Sequence, residues 1–409
     1  MTSNNVGGHR RMWLALILGI AAILAVAGAL AGLKVMAASA SPEKLSDEEL
    51  LSKVARAPEK APDFSATLSV EQSVIPSHLL EAAGQDGGFA ASGPQTVRVW
   101  YGGPDKVRAE LQGENGDRIF VHDGQRAWAY NGANNTLKTG ERPPEPLTSE
   151  PPDAENPPSP TEIDRMLAKL APTSKLTQGS PISYAGREAY VLTLSPKKDK
   201  DVTLVDRGRA LIDSETFLPL QFSLYAQNQP GPIFSWWVSD LEVGSVPAER
   251  FAFQVPPGAK VVPFDKNKEE RPEPKMRTGA KPKEVDTVAE AQRVVGFEVR
   301  DLANRPGGRE LTGVYLKDAD GVVLTYGSGW GTVVLAQGSQ NDGAPAPQRV
   351  VADGKDLALP TVDLGDGVAA TELSTPVGAG LRWNANGVSY VLAGSVPAAE
   401  LERAARELR

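Results

Sequence analysis

The residues able to do chemistry are few and scattered. Three histidines stand at His9, His78 and His122. No two of them have the spacing of a metal-binding pair, so a zinc site is not expected. There is no cysteine, which excludes disulfides, thiolate ligands, a cysteine nucleophile and a lipid-modified N-terminal cysteine. Gly7-Gly8 and Gly327-Ser328-Gly329-Trp330-Gly331 are glycine-rich. Neither is followed by the Gly-Lys-Ser/Thr that a phosphate-binding loop needs, and the second reads as a turn before a strand. No G-x-S-x-G elbow and no H-E-x-x-H helix occurs. Acidic residues are plentiful, but nothing in their placement marks a glycosidase pair. The expectation is a non-enzymatic protein with no cofactor and no metal. A net charge of −8 with no long basic stretch also argues against nucleic acid as a partner.

The elements point to a sheet-built protein. Residues 187–257 read as short apolar or alternating runs bounded by Gly, Pro, Asp or Ser. They comprise Arg187 to Pro196, Gly208 to Phe222, Phe234 to Asp240 and Phe251 to Gly258. Each is expected to be a strand of one antiparallel meander. Upstream, Ser46-Asp47-Glu48-Glu49 is a capping box ahead of Leu50, Leu51 and Val54, so a helix should run from there and stop before Pro58. Asp63 to Val74 alternates, with Phe64, Ala66, Leu68 and Val70 on one side. Thr96–Tyr101 should pair with Lys106–Gln112, and Arg118–His122 with Ala127–Tyr130 across a Gly-containing turn. Val97, Val99 and Tyr101 share a strand face; so do Trp128 and Tyr130. Trp236 and Trp237 must point to opposite sides.

The order of these motifs resembles the LolA/LolB lipoprotein-carrier superfamily, whose fold the RseB/MucB regulators share. A polar-Tyr-apolar strand ends in Pro196, a second strand ends in Ile212-Asp213, and a turn ends in Leu218-Pro219-Leu220. The closing run is Phe251-Ala252-Phe253-Gln254-Val255-Pro256-Pro257-Gly258. Thr96 to Arg108 is similar to the first long hairpin of LolA-like proteins of high-GC Gram-positive bacteria. The resemblance covers roughly Leu45 to Val262. It implies an α+β fold in which a curved antiparallel half-barrel sheet wraps around helices and holds acyl chains between. The residues then expected to line an apolar ligand on the concave face are Val97, Val99, Tyr101, Trp128, Tyr130, Leu192, Phe222 and Trp236. Ordinary core packing is the standing alternative for each.

The remaining organisation follows from composition. Residues 1–12 carry His9, Arg10 and Arg11 and no acid. Trp13 to Leu33 is then apolar or Gly for about 21 residues, roughly 31 Å of helix, enough to cross a bilayer core. Residues 13–36 are therefore expected to be a signal-anchor helix with its N-terminus inside and the body outside the cytoplasmic membrane. Cleavage after Ala38-Ser39-Ala40, giving a secreted protein, is the alternative. Residues 41–262 form the LolA-like domain. Within it, 75–93 and the amphipathic 161–170 are candidate lids, and 138–160 is a proline- and acid-rich exposed loop. Residues 263–285 read as a charged linker. Residues 286–409 read as a smaller C-terminal α+β domain, with Asn386-Gly387 marking a hairpin. Leu381 to Gly394 followed by Leu401 to Ala405 resembles an extracytoplasmic domain of unknown function that often follows LolA-like domains. Two functions stand side by side: a lipid- or lipoprotein-binding carrier or acceptor at the membrane, and an RseB-like sensor that docks a membrane regulatory protein such as an anti-sigma factor. A structural envelope module without ligand is a third.

Overall fold

The computed structural model describes residues 42–57, 61–74, 94–103, 105–113, 116–141, 168, 171–197, 202–264, 283–317, 321–339, 350–352, 355–357 and 359–408. The expected membrane helix, both candidate lids apart from residue 168, and most of the proline-rich loop and linker lie outside these residues. Among the described residues, no helix is long and apolar enough to cross a membrane.

Helix α1 spans Asp47–Arg56 and begins as its capping box requires. Ser46 Oγ accepts from the Glu49 amide at 3.2 Å, and the Ser46 amide donates to Glu49 Oε2 at 2.9 Å. These two bonds satisfy donors that the first turn leaves open.

The first sheet has twelve strands. They are β1 (Phe64–Gln72), β2 (Gln95–Tyr101), β3 (Lys106–Leu111), β4 (Arg118–Asp123), β5 (Ala127–Asn131), β6 (Thr136–Gly140), β7 (Ser174–Tyr184), β8 (Arg187–Pro196), β9 (Val205–Asp213), β10 (Pro219–Ala226), β11 (Pro232–Val243) and β12 (Lys260–Pro263). The spatial order is β12-β6-β5-β4-β3-β2-β1-β11-β10-β9-β8-β7. Two meanders, β1–β6 and β7–β11, thus run back to back. They are joined where β1 pairs antiparallel with β11. Among the described residues only the four-residue β12 joins in parallel, beside β6. The sheet is open and curved, not closed into a barrel. A single described helix, α1, is seen to pack on it, where the resemblance implied several.

One expected strand is not one. Phe251 to Val255 forms no ladder: Ala248–Phe251 is a 3-10 turn and the chain after it runs as a strap over the sheet. Its apolar residues pack onto side chains instead of pairing backbones, which a sequence pattern of two aromatic residues two apart cannot distinguish.

The second sheet has eight strands. They are β13 (Lys283–Val285), β14 (Leu311–Lys317), β15 (Gly321–Tyr326), β16 (Val333–Ser339), β19 (Thr361–Gly365), β20 (Val368–Thr375), β21 (Gly378–Ala385) and β22 (Val388–Gly394); β17 (Val350–Ala352) and β18 (Lys355–Leu357) form a separate pair. This sheet begins at Lys283, inside the expected linker. Helices α2 (Val288–Gln292) and α3 (Ala398–Ala405) contribute Ala291, Leu401, Ala404 and Ala405 to its core. At its centre Trp383 stacks on Tyr390, its cross-strand partner, with centroids 5.1 Å apart and planes at 11°.

The two sheets are docked by specific contacts. Thr203 Oγ1 and Ser395 Oγ lie 2.8 Å apart, and Ser395 Oγ also accepts from the Leu204 amide at 3.1 Å. Trp330 Nε1 donates to Ser174 Oγ at 2.8 Å. The buried Arg309 guanidinium donates to the carbonyls of Gly331 and, across the junction, Val202. Gly329 is required here twice over. Its φ is +57°, and a Cβ would lie 2.4 Å from Thr173 Oγ1.

Candidate functional site: the apolar face of the twelve-stranded sheet

Directly paired residues of neighbouring strands share a face, so the registers sort the expected site residues. Tyr101, Val99 and Val97 lie opposite Phe64, Ala66 and Leu68 of β1. Val70 lies opposite Trp236, and Trp236 opposite Phe222. Phe222 then pairs with Ala210, and Ala210 with Leu192. Six of the eight residues therefore stand on one face. Walking the other way, Arg108 of β3 lies opposite Trp100, Val121 opposite Arg108, and Trp128 opposite Val121. Trp100 is on the reverse face, so Trp128 is too, as is Tyr130, two residues on.

The expectation that Trp128 and Tyr130 share a concave surface with Val99 is thus corrected. Their faces were read correctly strand by strand, but the relation between strands depends on register. The strap occupies these two side chains. Phe253 lies 6.0 Å from Trp128, stacked at 25°, and 6.4 Å from Tyr130. Arg108 Nη1 donates to the carbonyls of Arg250 and Ala252 at 3.2 and 3.1 Å. The Arg250 guanidinium sits 5.3 Å over the Trp100 ring, a geometry that favours a cation. Phe251 is buried against the Gly102 turn. Tyr130 Oη donates to Asn135 at 2.9 Å, and Asn135 donates to the Pro257 carbonyl at 3.4 Å. The closing Phe-x-Phe-x-x-Pro-Pro-Gly motif is a clasp across the reverse face.

The apolar face holds two adjoining clusters. At the β8–β9 end, Leu50 of α1, fully buried, packs with Tyr190, Leu192 and Ile212. Leu192 is thereby covered by the protein's own helix. Tyr190 Oη donates to the Glu43 carbonyl at 3.0 Å, and burial, with Glu43 nearby, pushes its hydroxyl pKa up. Phe217 stacks on Tyr190 at 6.2 Å and carries Lys53 of α1 4.8 Å above its ring. Phe217 adopts φ +60°, an uncommon backbone for a bulky residue. It is held in a turn that wraps Asp213, whose carboxylate takes two bonds from Arg187 at 2.9 and 2.8 Å.

The larger cluster runs from β3 through β1 to β9. It gathers Val97, Val99, Tyr101, Trp236 and the partly buried Phe222 with Phe64, Leu68, Val70 and Phe234. Tyr101 stacks on Phe64 at 5.4 Å. The second sheet reaches into this same cluster through Val377 and Trp330, a contribution that nothing in the local sequence pattern announces.

Elsewhere, a cleft of about 820 Å³ lies beside the second sheet, lined by Asp301, Arg305, Glu400 and Arg403 among others. Two of its charges pair with each other, while one buried oxygen of Glu400 has no hydrogen-bond partner. Asp301 pairs with Arg305 at 2.9 Å and accepts from Tyr326 Oη at 2.7 Å. Burial first, then that bond, pushes the Tyr326 pKa far above its usual range. Among the described residues no cluster of three or more acidic or histidine side chains is arranged to hold a metal.

No family model matches the sequence, and no curated protein matches it. Among solved structures the chain is similar to the MucA/MucB complex of Pseudomonas aeruginosa at 18% identity and a TM-score of 0.39, over 88% of this chain and 96% of that one. It is also similar to a LolA superfamily protein from Nitrosomonas europaea at 13% identity and a TM-score of 0.21, over 51% of this chain and 99% of that one. A putative outer membrane lipoprotein-sorting protein domain from Vibrio parahaemolyticus is similar at 13% identity and a TM-score of 0.20, over 48% and 91% of the two chains.

Proposed function

We propose that this chain is a non-catalytic binding protein that holds an acyl chain, of a lipid or of an acylated lipoprotein, on the apolar face of the twelve-stranded sheet. The observation that carries the reading is the extent of that face. Six sequence-marked apolar residues, from Val97 to Leu192, stand on one side of a continuous sheet. Helix α1 covers the Leu192 end. The stretch from Val97 to Phe222 is closed as well: Val97, Val99, Tyr101 and Trp236 are 1–6% exposed and Phe222 is partly buried. Ala57, Ala61 and two side chains of the second sheet pack on it, so an acyl chain enters by displacing part of that packing. An acyl chain lying there would gain about 0.8 kcal/mol for each methylene removed from water. On this reading the apolar 13–36 segment holds the body outside the cytoplasmic membrane, where it receives or presents its ligand near the bilayer and does not shuttle.

The test is a titration of the purified protein with a fluorescent fatty acid. Saturable binding, weakened by Phe222→Ser and unaffected by Trp128→Ala, supports the reading. Absence of binding overturns it and moves the weight to the second reading, a sensor that docks a membrane regulatory protein. That second reading is favoured by the two-sheet architecture with a built junction, which a simple carrier does not need.

A further inference from the structure

We infer that the C-terminal domain is a stopper for the apolar face, and that ligand entry and docking of the two sheets compete. The inference rests on the acyl-binding reading above and names its regulation.

The strands β7 to β10 have two rims. At one, the turn around Asp213 is closed: Arg187 bridges Asp213 and Glu215, and Phe217 seals against Tyr190 beneath α1. The opposite rim is formed by Ser174, Pro196, Val205 and Ala226, which the registers bring to the same end. The second sheet sits on that rim. Its β20–β21 turn, Pro376-Val377, projects Val377 into the large apolar cluster, where it is 4% exposed. Trp330 joins the cluster beside it while its indole N–H is anchored on Ser174.

A second serine, Ser395, holds both the tip and the rim. Ser395 Oγ donates to the Val377 carbonyl at 2.7 Å and lies 2.8 Å from Thr203 Oγ1. An apolar chain running along the face toward this rim meets Val377 and Trp330 in its path. It can occupy that end only by displacing them, which separates Ser395 from Thr203. By linkage, whatever ligand binding costs docking, docking costs ligand binding by the same factor. A bound acyl chain is then reported to the outside as a released C-terminal domain.

The absence of cysteine makes the test clean. Thr203→Cys with Ser395→Cys places two thiols where hydroxyl oxygens now lie 2.8 Å apart, a spacing compatible with a disulfide. The full chain carrying both changes is oxidised with diamide, closure is read as a loss of two hydrogens by mass, and binding of a fluorescent fatty acid is titrated before and after reduction. The expected result is affinity at least tenfold weaker in the oxidised form, restored by reductant, with Val377→Ser binding more tightly than wild type. Equal affinity in oxidised and reduced forms overturns the stopper while leaving the acyl-binding reading standing. A pair that fails to close also overturns it, because the docked junction is then not held in solution. Failure of wild type, reduced and Val377→Ser proteins alike to bind the probe overturns both.

Discussion

Trp128 and Phe253 lie stacked with ring centroids 6.0 Å apart, on the side of the sheet away from the large apolar cluster. This places the most conspicuous aromatic residue of the β4–β5 hairpin in a clasp and not in a binding face. Trp128→Ala should therefore act on stability alone. The loss of the ring contact and of half-buried area should cost about 2 kcal/mol, seen as a lower urea midpoint, with fatty-acid binding at an unchanged affinity. A drop in affinity at unchanged stability would contradict the assignment of faces.

The clasp leaves no room at the β2–β3 turn. A Cβ on Gly102 would lie 2.9 Å from two ring carbons of Phe251. Gly102→Ala should destabilise by about 1–3 kcal/mol, the usual cost of overpacking. Combining it with Phe251→Leu, which withdraws the ring edge, should cost less than the sum of the two single changes.

Helix α1 carries a pH-dependent anchor. The Ser46 backbone bond, then its hydroxyl, hold the Glu49 carboxyl below its ordinary value of 4.5. A carboxylate depressed in the folded state adds stability above the unfolded value and loses it as pH falls through the folded one. Glu49→Gln should thus be less stable than wild type at neutral pH. The two should converge as the pH is lowered below 4.5. Thermal melts across that range check the sign.

In the second sheet, Trp383 is fully buried against Tyr390. Trp383→Ala should cost about 3–5 kcal/mol. Since the second sheet has its own core, the loss should appear in the amide exchange of β20–β22 before it appears in β1–β6.

Within single strands the sequence was easily read. Phe64, Ala66, Leu68 and Val70 alternate with polar residues, and the burial of β1 follows that alternation. Val97, Val99 and Tyr101 do the same in β2, and the capping box at Ser46 fixed the start of α1. Period-two patterns carry such information because each residue declares its own side. They do not carry the relation between strands far apart in the chain. The pairing of β1 with β11 spans more than half of the first domain, and the opposition of Trp128 to Val99 emerges only from counting registers. The clasp was hidden for a different reason. Phe251 and Phe253 look like a strand pair, whereas Arg108 and Trp100, which receive the strap, lie far upstream. The junction was equally invisible, since nothing in the sequence connects Thr203 with Ser395, which the fold sets 2.8 Å apart.

The most direct measurement of the central claim is native mass spectrometry of the full chain purified from its source cells, followed by lipid extraction. The account predicts a co-purifying acyl species that is lost in Phe222→Ser and retained in Trp128→Ala. A chain that emerges without lipid, and that shows no saturable binding of a fluorescent fatty acid, would contradict it.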